Sequence, residues 1–203
     1  MIIQLHPENP ELRTLKTISS NLKNGAVYIF PTDTVYALIA DANSKKGIEK
    51  IFSLKEMDKH KPLSIFCKDI SNASEYVESF PNEAFRLMKK ITPGPFTFIF
   101  KANKNLPRYS IVNEKSRTIG IRIPDQIYIT ELLKIHDGLI SSTSVFRKEE
   151  FITDVETLEE IYGSEIDGIV DGGNLETELS TILNFTSGEL VIEREGKGIE
   201  QIE

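Results

Sequence analysis

Residues 27–42, VYIFPTDTVYALIADA, decide how the chain is read. An apolar run that starts at Ala26 and ends at Phe30 has strand character, breaks at Pro31-Thr32-Asp33-Thr34, and resumes as a second apolar run over about 35–40. By itself Thr32-Asp33 equally forms an ordinary turn. The question is why a strand bound for the core would stop for two hydroxyls and a carboxylate and then re-enter it.

Working outward, Leu12, Leu15, Ile18 and Leu22 recur at helical spacing after Pro10, and Gly25 follows as a stop signal. Asn43 and Ser44 start a helix that carries Ile48, Ile51, Phe52 and Leu54. PLSIFC (62–67) predicts a strand, and Pro81 opens a helix whose buried side is predicted to be Phe85, Leu87, Met88 and Ile91. TPGPFTFIFKA turns at Pro93-Gly94-Pro95 and becomes a strand, and Arg117–Ile123 forms another, stopped by Pro124. Helix 126–135, strand 138–143, an acidic helix near 154–162 and strands near 166–170, 180–185 and 189–193 complete the pattern. Adjacent hairpin-like strands mixed with helical crossovers predict an α/β protein: a single domain over 1–203, with a twisted, mixed, open sheet and flanking helices. Neither a repeat nor a linker divides it.

At 203 residues, 39% hydrophobic and 27% charged, the composition is that of a globular domain large enough to bury a substantial core. Its apolar runs are strand-sized, well below the roughly 20 residues of a membrane helix, so no membrane partner is expected. MIIQLHPENPELR lacks the pattern of a signal peptide, and the lone Cys67, in an apolar run, fits a buried thiol in a reducing cytoplasm. His6, His60 and His136 lack metal-ligand spacing. There is no P-loop, no dinucleotide fingerprint and no nucleophile elbow, so any nucleotide is bound in another way. Residues 1–122 carry 19 Lys/Arg against 12 Asp/Glu, whereas 123–203 carry 5 against 19. The basic portion either forms a surface for polyanions or is one half of a dipolar molecule.

Five polar clusters interrupt the apolar strands: Thr32-Asp33-Thr34; Lys55 with Lys59, His60 and Lys61; Thr118, Gly120 and Arg122; SSTS (141–144); and STI (180–182) with EREGKG (193–198). Period-two geometry sets Thr118, Gly120 and Arg122 on one strand face, opposite Ile119, Ile121 and Ile123. Hydroxyls and guanidinium groups are the donors that a phosphate or carboxylate requires, and glycine admits a ligand to the backbone.

PTDTVYALIADA, a lysine followed by PL, TPGPFTFIF, RTIGIRIP, SSTS, DGG, STI and EREG occur in an order that resembles the YrdC-like family over about residues 10–198. That family includes threonylcarbamoyl-AMP synthases. The resemblance implies one α/β domain around a basic cavity in which L-threonine, bicarbonate and ATP, with Mg²⁺ on its phosphates, become threonylcarbamoyl-AMP for tRNA modification. No permanently bound cofactor is implied. By motif position, Thr32, Arg122, Ser142 and Ser180 resemble the substrate-binding residues, and Lys55, Thr118, Ser144 and Arg194 the nucleotide-binding ones. Three positions depart from the synthase pattern: Ala37 follows Tyr36 in place of glycine, Met57 replaces the arginine of a Lys-x-Arg motif, and Phe146 replaces the asparagine of a Ser-x-Asn motif. These departures, with AFRLMK, resemble the YciO branch. Double-stranded RNA or tRNA binding by the basic first portion, through Lys59, Lys61, Lys89 or Lys90, is the alternative expectation.

Overall fold

The structure, a computed structural model, describes residues 1–56, 63–104, 106, 117–147 and 150–202. In chain order the elements are β1 (Ile2–Ile3), α1 (Leu12–Lys23), β2 (Tyr28–Phe30), β3 (Ala37–Asp41), α2 (Lys45–Leu54), β4 (Ser64–Phe66), α3 (Ile70–Ser74) and α4 (Asn82–Ile91). They continue as β5 (Phe96–Lys101), β6 (Thr118–Arg122), α5 (Ile127–Ile135), β7 (Ile140–Ser144), β8 (Phe146–Arg147) and β9 (Glu150–Phe151). α6 (Val155–Tyr162), β10 (Gly168–Val170), β11 (Thr181–Asn184) and β12 (Val191–Arg194) follow, and a 3₁₀ turn (Ile199–Gln201) comes last.

Local chemistry sets most of these boundaries. The N–H groups of Gly25 and Ala26 close onto the Leu22 and Asn21 carbonyls at 2.9 and 3.0 Å, which ends α1 and turns the chain into β2. Ser44 caps α2 by accepting from the Gly47 N–H, and Asp154 caps α6 by accepting from the Thr157 N–H at 2.8 Å. Among the described residues, ten strands form one sheet in the order β1-β10-β2-β3-β7-β4-β6-β5-β11-β12. The β4–β6 and β5–β11 pairs are parallel, while β2–β3, β3–β7 and β5–β6 are antiparallel. The sheet is therefore mixed, as expected. β8 and β9 form a separate two-stranded hairpin.

The two sheet faces have different fates. Ile29, Leu38, Ile65, Phe98, Ile121 and Leu183 point into the larger core, against the buried faces of α2, α4 and α6. Tyr28, Phe30, Ile39, Phe66 and Ile140 pack on the other face against α1 and α5. Cys67 is buried as expected, and burial pushes its thiol pKa up.

Some expectations are corrected. The second strand starts at Ala37, and Val35 and Tyr36 belong to the loop that precedes it, although both are buried. On α4 the buried stripe is Ala84, Met88 and Ile91; Phe85 is 44% exposed because it lies one residue off that stripe, beside Lys89. The two-residue strands β1, β8 and β9 and the single-turn α3 are too short to show a hydrophobic period. No helix among the described residues is long and apolar enough to cross a membrane.

Behind α1, a buried polar chain links three elements. Ser19 Oγ lies 2.9 Å from His136 Nδ1, and His136 Nε2 lies 3.3 Å from Asp41 Oδ2. Burial alone would raise the Asp41 pKa, but the nearby His136 ring and the hydrogen bond from the Asn43 N–H outweigh it, and the carboxyl lies below its ordinary value. A depressed carboxyl contributes stability above the unfolded-state pKa and loses it as pH falls through the folded value. Urea unfolding of the wild type is therefore expected to lose stability between pH 7 and pH 3. The Asp41→Asn variant should lose less over the same interval, and an equal loss would contradict this account.

Candidate functional site

Register assigns the site to one sheet face. Arg122 lies beside Thr97 on β5 and Phe66 on β4, and the next row inward holds Gly120, Ser64 and Ser142. Farther along, β6 carries Thr118 and β7 carries Ser144. This is the face that α1 and α5 cover with apolar contacts farther along the sheet, where Phe66, Ile140 and Ile39 continue the same rows. On β6 and its neighbours the apolar surface gives way to a floor of hydroxyls and glycine. Thr118 and Arg122 stand about 13 Å apart along the strand, and Gly120 and Ser142 about 9.5 Å apart across β4. A Cβ at Gly120 would lie 2.9 Å from Ser64 Oγ, so any side chain there displaces the floor.

One end of the floor is cationic. Arg122 is 7% exposed, and its Nη2 donates to Thr32 Oγ1 at 3.2 Å, to Thr34 Oγ1 at 2.8 Å and to the Asp33 carboxylate. The backbone N–H of Asp125 donates to the other Asp33 oxygen at 3.2 Å. Thr32 braces its own loop, accepting from the Thr34 N–H and donating to the Val35 carbonyl at 2.6 Å. The β2–β3 loop is thus folded onto the end of β6. Arg122 Nε is buried without a hydrogen-bond partner among the described residues. Beside it, Thr97 Oγ1 and Ser180 Oγ lie 3.0 Å apart. Arg194 donates to the Ser180 carbonyl from Nε and Nη2 at 3.0 and 2.8 Å, and to Ser180 Oγ at 3.1 Å. Burial, and then the positive charge of Arg122, pulls the Arg194 guanidinium below its ordinary value. An anion between the two guanidinium groups would offset their repulsion.

At the other end, Lys55 is the C-cap residue of α2, and its Nζ donates to the Ser144 carbonyl. The ammonium lies 3.7 Å from the centroid of the Phe146 ring. Tyr36 anchors the intervening loop: its hydroxyl donates to the Gly173 carbonyl at 2.8 Å and accepts from the Gly172 N–H at 3.0 Å. Burial is the main cause that pushes its pKa up to about 12, so the phenol keeps its proton. A Cβ at Gly172 would lie 2.3 Å from Pro31 Cβ, a distance that only glycine avoids.

A family profile described as Sua5, YciO and YrdC, telomere recombination, matches residues 20–196. The chain belongs to this Sua5/YciO/YrdC family. YciO of Escherichia coli K12 is 34% identical over 197 residues, covering 96% of this chain and 94% of its own. The crystal structure of E. coli YciO superposes with a TM-score of 0.90 at 32% identity, over 98% of this chain and 96% of that one. Pyrococcus abyssi Sua5, solved complexed with L-threonine, gives a TM-score of 0.90 at 26% identity, and the match covers all of this chain but 60% of Sua5. The Sua5/YciO/YrdC fold is thereby shown, as the sequence resemblance implied.

Of the residues expected from sequence, Thr32, Arg122, Ser180 and Arg194 meet at the cationic end. Ser142 lies in the floor, and Lys55 and Ser144 meet at the far end. Thr118 lies farther along β6 and pairs in register with Lys101. Met57, Lys59, His60 and Lys61 lie outside the described residues. Sequence reading missed Ser64 and Thr97. Their signal was a lone hydroxyl at an alternate position of an apolar strand, in PLSIF and FTFIF. It also missed Asp33 as the partner of Arg122.

Replacing Arg122 with Met strands the Asp33 carboxylate, whose side chain is 10% exposed. Breaking one half of a buried ion pair typically costs about 3–5 kcal/mol. Denaturant unfolding is expected to register that loss for Arg122→Met and a smaller one for Arg122→Met combined with Asp33→Asn.

Proposed function

We propose that this chain is a threonylcarbamoyl-AMP synthase-type protein of the YciO branch, binding L-threonine, bicarbonate and ATP on the hydroxyl floor between Arg122 and Lys55. The observation that carries this reading is the paired Arg122 and Arg194 at one end of the floor, with a lysine at the other. Two guanidinium groups flanked by Thr32, Thr97 and Ser180 form a seat for a carboxylate and a carbonate-derived anion. Ser142, Ser144, Thr118 and Lys55 extend toward a nucleotide whose phosphates need cationic and hydroxyl donors. The L-threonine of the Sua5 complex supports the amino-acid half of the reading.

The chemistry requires no covalent nucleophile. The threonine amine adds to the carbon of bicarbonate with loss of water, and the resulting carbamate oxygen attacks the α-phosphorus as pyrophosphate leaves. The chain contributes by holding these groups in line and offsetting anionic charge that grows in the transition state. A Mg²⁺ would be held mainly by the ATP phosphates. That ion would supply charge neutralisation on the phosphates.

Pyrophosphate release from ATP is expected to require both L-threonine and bicarbonate, and its absence from folded protein would sink the reading. Arg194→Ala should lower kcat/KM by about tenfold to a hundredfold, the effect of losing one charge-assisted hydrogen bond. The combined Met57→Arg and Phe146→Asn variant restores the synthase motifs and should raise turnover. The second reading, double-stranded RNA or tRNA binding, draws on Arg86, Lys89 and Lys90, all exposed on α4. It requires an affinity that falls steeply with salt and drops in Lys89→Ala.

A further inference from the structure

Lys55 stands at the mouth of the site already engaged. The residue after it, Glu56, has φ +49°, so the chain turns as soon as α2 ends. From this C-cap position the side chain reaches β7, where Nζ donates to the Ser144 carbonyl and lies against the face of Phe146. Phe146 is 40% exposed, yet its orientation is set: it pairs with Phe151 across the β8–β9 hairpin, and the rings meet edge-on at 6.2 Å and 63°. A phenyl ring has no polar atom to offer a nucleotide. Toward a lysine it offers the negative face of its π system.

We infer that Phe146 is a positioning residue that stores Lys55 against the Ser144 carbonyl in the ligand-free chain, so that a polyphosphate must draw the ammonium off the carbonyl and the ring. The inference rests on the assignment of Lys55 to nucleotide phosphates and adds a cost to that binding. It also gives a physical reason for an aromatic residue where the synthase motif has asparagine. The arrangement holds a cation in reserve at the end of the floor.

Inorganic tripolyphosphate isolates this step from base and amino-acid recognition. Calorimetry is expected to show it binding Phe146→Leu roughly two- to thirtyfold more tightly than wild type, the range set by a cation–π contact. Phe146→Tyr, which retains the ring face, should match wild type. In protein carrying ¹³C-labelled lysine, the εCH₂ signals of Lys55, identified by their loss in Lys55→Arg, should be shifted upfield by the ring current. They should return to the ordinary lysine position in Phe146→Leu and, in wild type, on saturation with tripolyphosphate. Signals unshifted in the ligand-free wild type overturn the inference, as does unchanged or weaker tripolyphosphate binding by Phe146→Leu. Weaker ATP binding with unchanged tripolyphosphate binding would mark Phe146 as a base-stacking residue instead, and also overturns it. If the signals respond to Phe146→Leu but tripolyphosphate neither binds nor moves them, the phosphate role of Lys55 falls and the inference with it. Missing pyrophosphate release with intact tripolyphosphate binding and release of Lys55 sinks only the synthase reading.

Discussion

The Arg122 guanidinium donates from a single nitrogen to Thr32, Asp33 and Thr34, across a sequence separation of about ninety residues, while almost wholly withdrawn from water. Removing a guanidinium and a carboxylate from water costs several kcal/mol each, and their attraction offsets this only when the geometry is good and the remaining lone pairs are satisfied. Here the Asp125 N–H and two threonine hydroxyls satisfy much of the set around the pair. What the cluster secures is position. It fixes the β2–β3 loop over the end of β6, and the site exists because those two segments meet.

The second constraint is that one sheet serves two purposes on the same face. Along rows that run across β3, β7, β4, β6 and β5, residues change from Ile39 and Ile140 under the helices to Ser142, Ser64, Gly120 and Thr97 beyond them. The opposite face is mainly apolar, with Ser141 and Thr181 buried on it, and carries the larger core. The hydroxyl floor is therefore held from behind by packed side chains that cannot shift by a methylene without cost, which suits donors that must be aimed in advance. Gly120 completes the floor by leaving room for Ser64.

The two ends of the floor are engaged differently. At the Arg122 end the cations are braced by Asp33 and by the Ser180 carbonyl, fixed partners that leave Arg122 Nε buried without a hydrogen-bond partner among the described residues. At the Lys55 end the cation rests on a carbonyl and an exposed ring, partners it can leave through rotation of a flexible stem. Braced cations at one end of the floor and a flexible one at the other is the division this arrangement favours.

Most elements longer than one turn were legible in the sequence, because periodicity, caps and stop signals act within a few residues. Leu15, Ile18 and Leu22 on α1, Ser44 at the start of α2 and the alternation of Thr118, Gly120 and Arg122 on β6 are local facts that survive into the fold. Ordered motifs also marked Thr32, Ser180 and Arg194 before their neighbours were known. Only the tertiary structure decided that β6 lies between β4 and β5, that Asp33 is the counter-ion of Arg122, that Ser64 and Thr97 belong to the floor, and that Lys55 rests on Phe146. Each of these is a pairing between segments far apart in the chain. Its free energy comes from register, burial and charge shared between the segments, and no short window of sequence contains both partners.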